Sequence, residues 1–171
     1  MTSICKASEK DIPVLSNLAT TTIIESHGHS APAADMNNYI AEKYTEAVFT
    51  KELSDPKNIY HFIYHDDEAV GFSKIVFNCS YEGSQLENIT KLDRIYVLKA
   101  CYDLKLGQQL FQFNVDLAKQ NGQAAMWLYV WKENARAIRF YERNGFRVIG
   151  THDFQVSPTH SNPNHHMLLQ F

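Results

Sequence analysis

The sequence has no apolar run that approaches the ~18 residues of a transmembrane helix, so no membrane partner is expected. Met1 is not followed by a basic segment and an apolar stretch, and we therefore expect no signal peptide. The cysteines are few and far apart and have no C-x-x-C spacing, which predicts free thiols in a reducing compartment: Cys5, Cys79 and Cys101. Together these absences predict a cytoplasmic protein.

Basic residues are not in excess either. The chain has 16 Lys and Arg against 19 Asp and Glu, a formal net charge of −3. A nucleic-acid binder needs surplus positive charge to neutralise phosphates, so a nucleic-acid partner is not expected. The clustered histidines lack the helical H-x-x-x-H spacing and the neighbouring cysteines of zinc sites, and no metal is expected: His27, His29, His160, His165 and His166.

What the chain does have is the size and apolar content of one globular domain. Its 171 residues are 44% hydrophobic and show no repeat or linker, which predicts a single domain over 1–171. Apolar periodicity predicts strands at 2–6, 59–64, 69–77, 89–98, 126–131, from 146 and at 166–171. It predicts helices after Ser8, near 36–44 with Asp35 as N-cap, near 45–53, at 106–120 and at 134–144. Residues 26–34 and 158–163 are predicted loops. The order β-α-α-α-β-β-β-α-β-α-β-β indicates an α/β fold with a mixed sheet and flanking helices.

Residues 134–146 carry the most informative pattern, N-x-x-A-x-x-F-Y-x-x-x-G-F. At about 100° per residue, the seven-residue spacing places Asn134 and Tyr141 on the same side of a helix, roughly 10 Å apart along its axis. Ala137 lies between them and is small, so a groove forms that suits a thin, amide-bearing arm such as pantetheine. The arginines of this helix are expected on the opposite side, in solvent: Arg136, Arg139 and Arg143.

This pattern resembles the late motif of the GNAT superfamily of acyl-coenzyme A-dependent N-acetyltransferases. Six positions match at the family's spacing: Asn134, Ala137, Phe140, Tyr141, Gly145 and Phe146. The resemblance covers nearly the whole chain and is strongest over 89–150. It implies a mixed β-sheet flanked by helices with two splayed central strands, acetyl-coenzyme A (acetyl-CoA) as co-substrate, and an amine as acceptor. Many members of the family pair as dimers, so a homodimer is possible by resemblance.

The family's other motif, (Q/R)-x-x-G-x-(G/A), follows a strand end like the one at 95–98 and falls here on residues 102–107. Its backbone amides surround the pyrophosphate of coenzyme A at a helix N-terminus. Only Gly107 matches, because Tyr102 replaces the usual Gln or Arg and Lys105 replaces the first glycine. Lys105 keeps its amide available if its backbone is helical, and its ammonium adds a phosphate contact. By resemblance, the cofactor-binding residues are Ile95, Tyr96, Val97, Tyr102, Lys105, Leu106, Gly107, Gln108, Asn134, Ala137 and Phe140.

The first hundred residues resemble more narrowly the bacterial polyamine acetyltransferases of the PaiA type. The matching segments are 24–26, 35–39 and 93–98, although Lys91 alters the acidic pattern that this group has before the strand end. A polyamine is therefore the first expectation for the small-molecule amine. An alkylammonium group would be attracted by an acidic cleft, and the candidate substrate-binding residues are Glu25, His27, Asp35 and Asp93. Each acid is also explained as a helix cap or a surface residue.

Tyr141 is the candidate catalytic acid by resemblance. A phenol has a pKa of about 10 and a thiol about 8.5, so complete proton transfer to the thiolate costs about 2 kcal/mol in bulk water. We therefore expect a hydrogen bond to the developing thiolate, followed by the proton. Asn134 is open to two interpretations, a contact with pantetheine or a simple N-cap. Two alternatives to a small-molecule acceptor stay open, a protein or peptide amine and a degenerate domain that binds coenzyme A without turnover.

Overall fold

The computed structural model describes all 171 residues of the chain. It has seven strands and five α-helices in the predicted order: β1 (Thr2–Lys6), α1 (Ile12–His27), α2 (Ala33–Lys43), α3 (Glu46–Ser54), β2 (Asn58–His65), β3 (Glu68–Val76), β4 (Ile89–Val97), α4 (Leu106–Gln120), β5 (Ala125–Trp131), α5 (Ala135–Arg143), β6 (Arg147–Ser157) and β7 (His160–Gln170). Short 3₁₀ helices at Glu9–Asp11 and Lys99–Leu104 precede α1 and α4. No helix is both long and apolar enough to cross a bilayer.

The strands form one mixed sheet in the order β1-β2-β3-β4-β5-β7-β6. All neighbours are antiparallel except β4 and β5, which run parallel. These two strands pair only at their beginnings, where Ile89, Thr90 and Lys91 lie opposite Ala125, Met126 and Trp127. Beyond Lys91 the strands diverge, which confirms the predicted splay at the centre of the sheet.

A buried glutamine closes the paired end of this gap. The Gln123 Oε1 atom accepts hydrogen bonds from the Asn78 backbone N–H and from the Thr90 hydroxyl, each at 3.0 Å. Its Nε2 atom donates to Asn78 Oδ1 at 2.9 Å. Because these bonds join β4 to the segments on either side of it, the gap is fixed at one end and opens only toward the other.

The helices cover both faces of the sheet. Phe72 of β3 packs in a core cluster with residues of α1 and α3, whereas its neighbour Ser73 bonds Asn114 of α4, at 2.9 Å from Asn114 Nδ2. Since successive residues of a strand point to opposite faces, α1 and α3 lie on one face and α4 lies on the other. α5 packs beside α4 in a second cluster that includes Phe111 and Tyr141.

Two predicted loops are shorter in the structure. α1 extends to His27 and α2 begins at Ala33, so Asp35 lies in the first turn of α2 and Pro32, not Asp35, is at the N-cap. β7 begins at His160, because Ser157 and His160 pair across a two-residue turn. The predicted turn at 158–163 is confirmed only at 158–159 and was wrong over 160–163, where the polar residues alternate as a strand does, with Asn162 buried.

Candidate active site

One cavity of about 870 Å³ occupies the open end of the gap between β4 and β5. Residues of α4 and α5 line it from one face of the sheet, and residues of α1, α2, β6 and β7 complete it. It brings together most of the residues predicted from the sequence: Glu25, His27, Asp93, Ile95, Tyr96, Val97, Tyr102, Lys105, Gly107, Gln108, Asn134, Ala137, Phe140 and Tyr141.

Two predicted site residues do not line the cavity. The side chain of Leu106 is only 1% exposed and packs in a core cluster with Leu110, so only its backbone is available to a ligand. Asp35 lies in the first turn of α2, away from the cavity, where its charge suits the positive end of the helix dipole.

The exposed edge of β4 forms one wall. The Leu98 backbone N–H donates to Val70 on β3 at 2.8 Å. Because alternate residues of an antiparallel strand direct their backbone groups to the same side, those of Tyr96 also point to β3. The N–H and C=O groups of Ile95 and Val97 therefore point into the gap, where β5 is no longer paired with β4.

The N-terminus of α4 forms a second wall. Its first intrahelical bond runs from the Gln109 N–H to the Lys105 carbonyl at 3.2 Å, so the N–H groups of Leu106, Gly107 and Gln108 precede it and have no intrahelical partner. Lys105 does not have the right-handed helical backbone considered from the sequence. Its φ of 57° lies in the left-handed region that glycine prefers, so it keeps the turn that the missing glycine would make.

Gly107 has no side chain and so leaves the space beside the N-terminus of α4 open. A Cβ atom built on Gly107 would meet only the Val97 Cγ2 atom, at 3.9 Å, which is an ordinary van der Waals contact. The protein itself therefore has room for a side chain here. Since Gly107 lines the cavity, that side chain would occupy space next to the free amides of α4.

Two arginines that the sequence placed in solvent also reach the cavity. Arg136 and Arg143 are exposed yet line its mouth together with Lys105, whereas Arg139 does not. The Arg136 guanidinium carbon lies 3.4 Å from the centre of the Tyr102 ring. The angular spacing along the helix did not predict that Arg136 and Arg143 line the cavity. α5 has only nine residues, and the cavity extends around both of its ends. Three cations beside free helix amides suit a ligand that carries phosphates.

α5 presents its predicted face to the cavity. The Asn134 Oδ1 atom accepts the Ala137 backbone N–H at 3.1 Å, so the N-cap interpretation of Asn134 is confirmed, and the residue lines the cavity as well. Tyr141 is 9% exposed and lies between the rings of Phe140 and Phe146. Its hydroxyl has no hydrogen-bond partner in the protein. Burial raises the pKa of Tyr141 well above its ordinary value, so the phenol is a protonated donor at neutral pH.

A β-bulge shapes the other end of the cavity. Lys74 of β3 lies opposite Arg94 and Ile75 lies opposite Leu92, which leaves Asp93 as the extra residue. The Asp93 carboxylate contacts Lys91 Nζ at 2.8 Å and Lys74 Nζ at 3.1 Å. Burial by itself raises the pKa of Asp93, but the two ammonium groups outweigh it and hold this pKa at about 2.

The remaining predicted acceptor residues lie near the end of α1. The Glu25 carboxylate accepts the Lys99 backbone N–H at 2.8 Å. Burial, together with His29, lowers the pKa of His27 to about 4, so its imidazole is neutral at physiological pH. His27 lies beside Tyr96 and Trp131, with ring centres 6.1 and 5.8 Å away. Trp131 is buried as a core residue is, yet it also lines the cavity.

Sequence reasoning missed several residues of this end because each comes from a separate element. Ser30, in the loop before α2, bonds Asn162 of β7 at 2.9 Å and accepts from the His160 ring at 3.0 Å through its carbonyl. Asn164 lines the cavity and its Oδ1 atom has no partner. Further lining residues are Met36, Tyr39, Tyr44 and Phe154. No group of three or more His, Cys, Asp or Glu side chains is arranged to hold a metal ion.

Solved structures share this architecture. The crystal structure of PaiA N-acetyltransferase from Thermoplasma acidophilum in complex with coenzyme A covers 100% of this chain and 99% of its own, with a TM-score of 0.80. The two sequences are 21% identical, so the likeness shows the fold alone. Both the mixed sheet and its flanking helices agree with that fold.

Sequence relatives extend the comparison. An uncharacterized N-acetyltransferase in the pepI 3' region of Lactobacillus delbrueckii subsp. lactis is 26% identical over 151 residues, which cover 88% of this chain and 87% of the relative. The spermine/spermidine N(1)-acetyltransferase of Bacillus subtilis is 25% identical over 107 residues, 60% of this chain and 70% of its own. The sequence profile of the acetyltransferase (GNAT) family matches residues 23–146, from the end of α1 to the start of β6. Since this match spans well over half of the chain, the protein belongs to the acetyltransferase (GNAT) family and is an acyltransferase.

Proposed function

We propose that the protein transfers an acetyl group from acetyl-CoA to a primary amine of a small molecule. One observation carries this proposal: the free amides at the start of α4 and the unpartnered hydroxyl of Tyr141 line the same cavity. The first suits a phosphate and the second suits a leaving thiolate. A thioester joined to a nucleotide by a thin arm has both groups.

The donor is assigned to the side of the cavity lined by α4 and α5. In this proposal the pyrophosphate accepts from the amides of 106–108, and Lys105, Arg136 and Arg143 neutralise its charge. The backbone groups of Ile95 and Val97 then pair with the amides of pantetheine, as a neighbouring strand would. The structural neighbour from Thermoplasma acidophilum was crystallised with coenzyme A, which supports the same class of ligand.

Transfer proceeds by direct attack of the neutral amine on the thioester carbonyl. An alkylamine has a pKa of about 10.4, so it must lose a proton before it attacks. As the C–S bond breaks, the Tyr141 hydroxyl donates a hydrogen bond to the sulfur and then its proton. The attacking nitrogen, which becomes the amide nitrogen, gives up its extra proton, and this proton restores the Tyr141 phenol. Because burial raises the pKa of Tyr141, the thiolate does not take this proton early, and the main contribution of the hydroxyl is the hydrogen bond.

A polyamine acceptor is the narrower hypothesis from the PaiA resemblance, and relatives in Bacillus subtilis are named as spermine acetyltransferases. The acids expected to attract it are occupied or distant. Asp93 contacts two lysines, Glu25 accepts a backbone N–H, and Asp35 is outside the cavity. We therefore propose the small-molecule amine without choosing a polyamine.

A domain that binds coenzyme A without turnover is the second candidate, and the altered loop at 102–107 motivates it. The left-handed backbone of Lys105 favours a working loop instead, because this conformation replaces the lost glycine. The test measures thiol release from acetyl-CoA with a panel of amines and peptides, using the wild type, Tyr141→Phe and Tyr81→Phe. Tyr81 packs on Trp127 outside the cavity and is the matched control. Release with a small amine that falls in Tyr141→Phe alone supports the proposal. Heat stabilisation by acetyl-CoA without release for any acceptor supports the binding domain.

A further inference from the structure

The acceptor end of the cavity lies over a cluster of five charged side chains. Lys74, Lys91 and Arg94 supply three positive charges, and Glu52 and Asp93 supply two negative ones. The three cations pair only with these two carboxylates, so the cluster has a net charge of +1. The side chains are between 10% and 27% exposed, which means that water screens this surplus only in part.

The surplus charge faces the cavity. Lys91, Asp93 and Arg94 line it, whereas Lys74 and Glu52 lie behind them. Both oxygens of Asp93 are engaged, Oδ1 by Lys91 and Oδ2 by Lys74. A ligand at this wall therefore meets Lys91 and Arg94 beside a carboxylate that is already paired, and the cluster as a whole has one surplus positive charge.

Arg94 retains donors for a ligand. Its NH1 atom donates to the Tyr60 hydroxyl at 3.0 Å, and its NH2 atom lies 3.5 Å from Glu52 Oε1. The guanidinium carbon lies 5.2 Å from the centre of the Tyr44 ring and 5.6 Å from that of Phe49, which hold its plane. A guanidinium has five N–H groups in a planar fork that matches a carboxylate. Arg94 thus offers a preorganised, partly desolvated site for an anion.

Aromatic rings supply much of the rest of this end, beside the polar residues Glu25, Ser30, Asn162 and Asn164. Tyr39 contacts Tyr44 and Phe154, each with ring centres 5.9 Å apart, and all three residues line the cavity. Met36 and Trp131 extend this lining. An apolar or aromatic body fits such a surface, since its burial is favourable and the rings leave few polar groups to satisfy.

From this arrangement we propose that the acceptor is an amine that carries its own carboxylate on an apolar body, as an α-amino acid with an aromatic or branched side chain does. Arg94 and Lys91 bind the carboxylate, and the amine lies toward Tyr141. The inference rests on the proposed acetyl transfer and names its substrate class. A polyamine is disfavoured here because it is polycationic at neutral pH and would meet the surplus positive charge of this wall, and Glu25 is the one cavity-lining carboxylate outside the cluster.

The experiment compares amines with the same apolar body that do or do not carry a negative charge beside the amine. Phenylalanine, phenylalaninamide and phenethylamine share one aryl-ethyl amine, leucine and leucinamide repeat the comparison with a branched side chain, and spermidine is the cationic reference. Thiol release gives kcat/KM for each, corrected for the fraction of neutral amine at the assay pH. We expect at least one free amino acid to exceed its amide tenfold or more, and to exceed spermidine.

Variants test the wall itself. Lys91→Met removes one cation while Asp93 keeps Lys74, and it should reduce the acid-to-amide preference severalfold without unfolding the protein. Arg94→Gln should abolish the preference, and its retained fold is checked by heat denaturation. Lys10→Met removes an exposed lysine outside the cavity and should keep the wild-type preference.

The outcomes separate the two proposals. Amides or spermidine with a kcat/KM equal to or above that of every amino acid would overturn the carboxylate-bearing acceptor and leave the acetyltransferase proposal in place. An acid preference that Lys91→Met and Arg94→Gln leave unchanged would also overturn it. Absence of thiol release with every amine would overturn both.

Discussion

The side chains of Gln108 and Asn144 exchange two hydrogen bonds between the start of α4 and the end of α5, at 2.8 and 3.2 Å. Both residues line the cavity, and Asn144 also donates to the Phe140 carbonyl at 2.8 Å. The pair fixes the helix amides relative to the helix that carries Tyr141. It thereby couples the proposed phosphate site to the proposed site of thiolate release.

We expect Asn144→Ala to raise KM for acetyl-CoA severalfold and to cost about 1 kcal/mol of unfolding free energy, since the bonds are exposed. Gln108→Ala should give a similar change, and the double variant should be less than additive because the two side chains act as one unit. Gln112→Ala, one turn further along α4, is the control. Steady-state kinetics and urea denaturation measure both effects, and full additivity would mean that the pair does not position the two helices.

Tyr141→Phe should lower kcat at least tenfold and leave KM for acetyl-CoA nearly unchanged, because only the hydroxyl is lost and the ring still packs between Phe140 and Phe146. The pH profile gives a second readout. Since the pKa of Tyr141 is raised, the wild-type rate should increase with pH as the amine loses its proton, without a fall from phenol ionisation before about pH 10. An unchanged kcat would exclude Tyr141 from the reaction.

Gly107→Ala should separate stability from cofactor affinity. Alanine is favoured over glycine in a helix by about 0.5–1 kcal/mol, and the added Cβ meets only Val97 at 3.9 Å, so the fold should be as stable as the wild type or more stable. KM for acetyl-CoA should nevertheless rise about tenfold, because the methyl group fills the space beside the amides of α4. Gln109→Ala is the helix control. Equal KM values in wild type and Gly107→Ala would place the phosphates elsewhere.

Asp93 should make the free energy of unfolding depend on pH in the acidic range. Its folded pKa of about 2 is below the ordinary value of 3.8, so its contribution is complete above pH 4 and is lost as the pH falls toward 2. This shift corresponds to about 2 kcal/mol. Asp93→Asn should lose that amount at pH 7 and should flatten the decline between pH 4 and pH 2.

Urea denaturation at pH 7, 4 and 3 measures this dependence, with the exposed Asp153→Asn as control. An identical decline in Asp93→Asn and wild type would show that other carboxylates govern acid unfolding.

Local patterns predicted the parts of this site that are local. The spacing of Asn134 and Tyr141 is a property of one helix, so the sequence predicted it correctly. The order of strands and helices was also predicted correctly. Asp35 shows where such reasoning fails: α2 begins at Ala33 after Pro32, so Asp35 lies in the first turn of the helix, and its side chain does not line the cavity. Early β7 was predicted as a turn because Asn162 and Asn164 face a cavity, so its buried positions are polar rather than apolar.

The charged cluster could not be predicted from one sequence. Glu52 is on α3, Lys74 on β3 and Asp93 on β4, and no short-range pattern relates them. The bulge at Asp93, next to which both Asp93 and Arg94 line the cavity, is a feature of strand pairing and not of composition. The place of Arg136 at the cavity mouth likewise depends on a tertiary contact, that of its guanidinium with the Tyr102 ring.

The brief pairing of β4 with β5 has a consequence for heat resistance and for proteolysis. Only three residue pairs connect the two halves of the sheet, so the freed amides along the remaining edge are left to water whenever the donor is absent. A donor that pairs with that edge acts as a temporary eighth strand and bridges the halves. The concentration of this donor then affects how often the two halves of the sheet separate. At a free concentration one hundred times its dissociation constant, the donor adds about 2.7 kcal/mol to the free energy of unfolding. Acetyl-CoA should therefore slow both heat unfolding and proteolysis, by an amount that grows with its concentration.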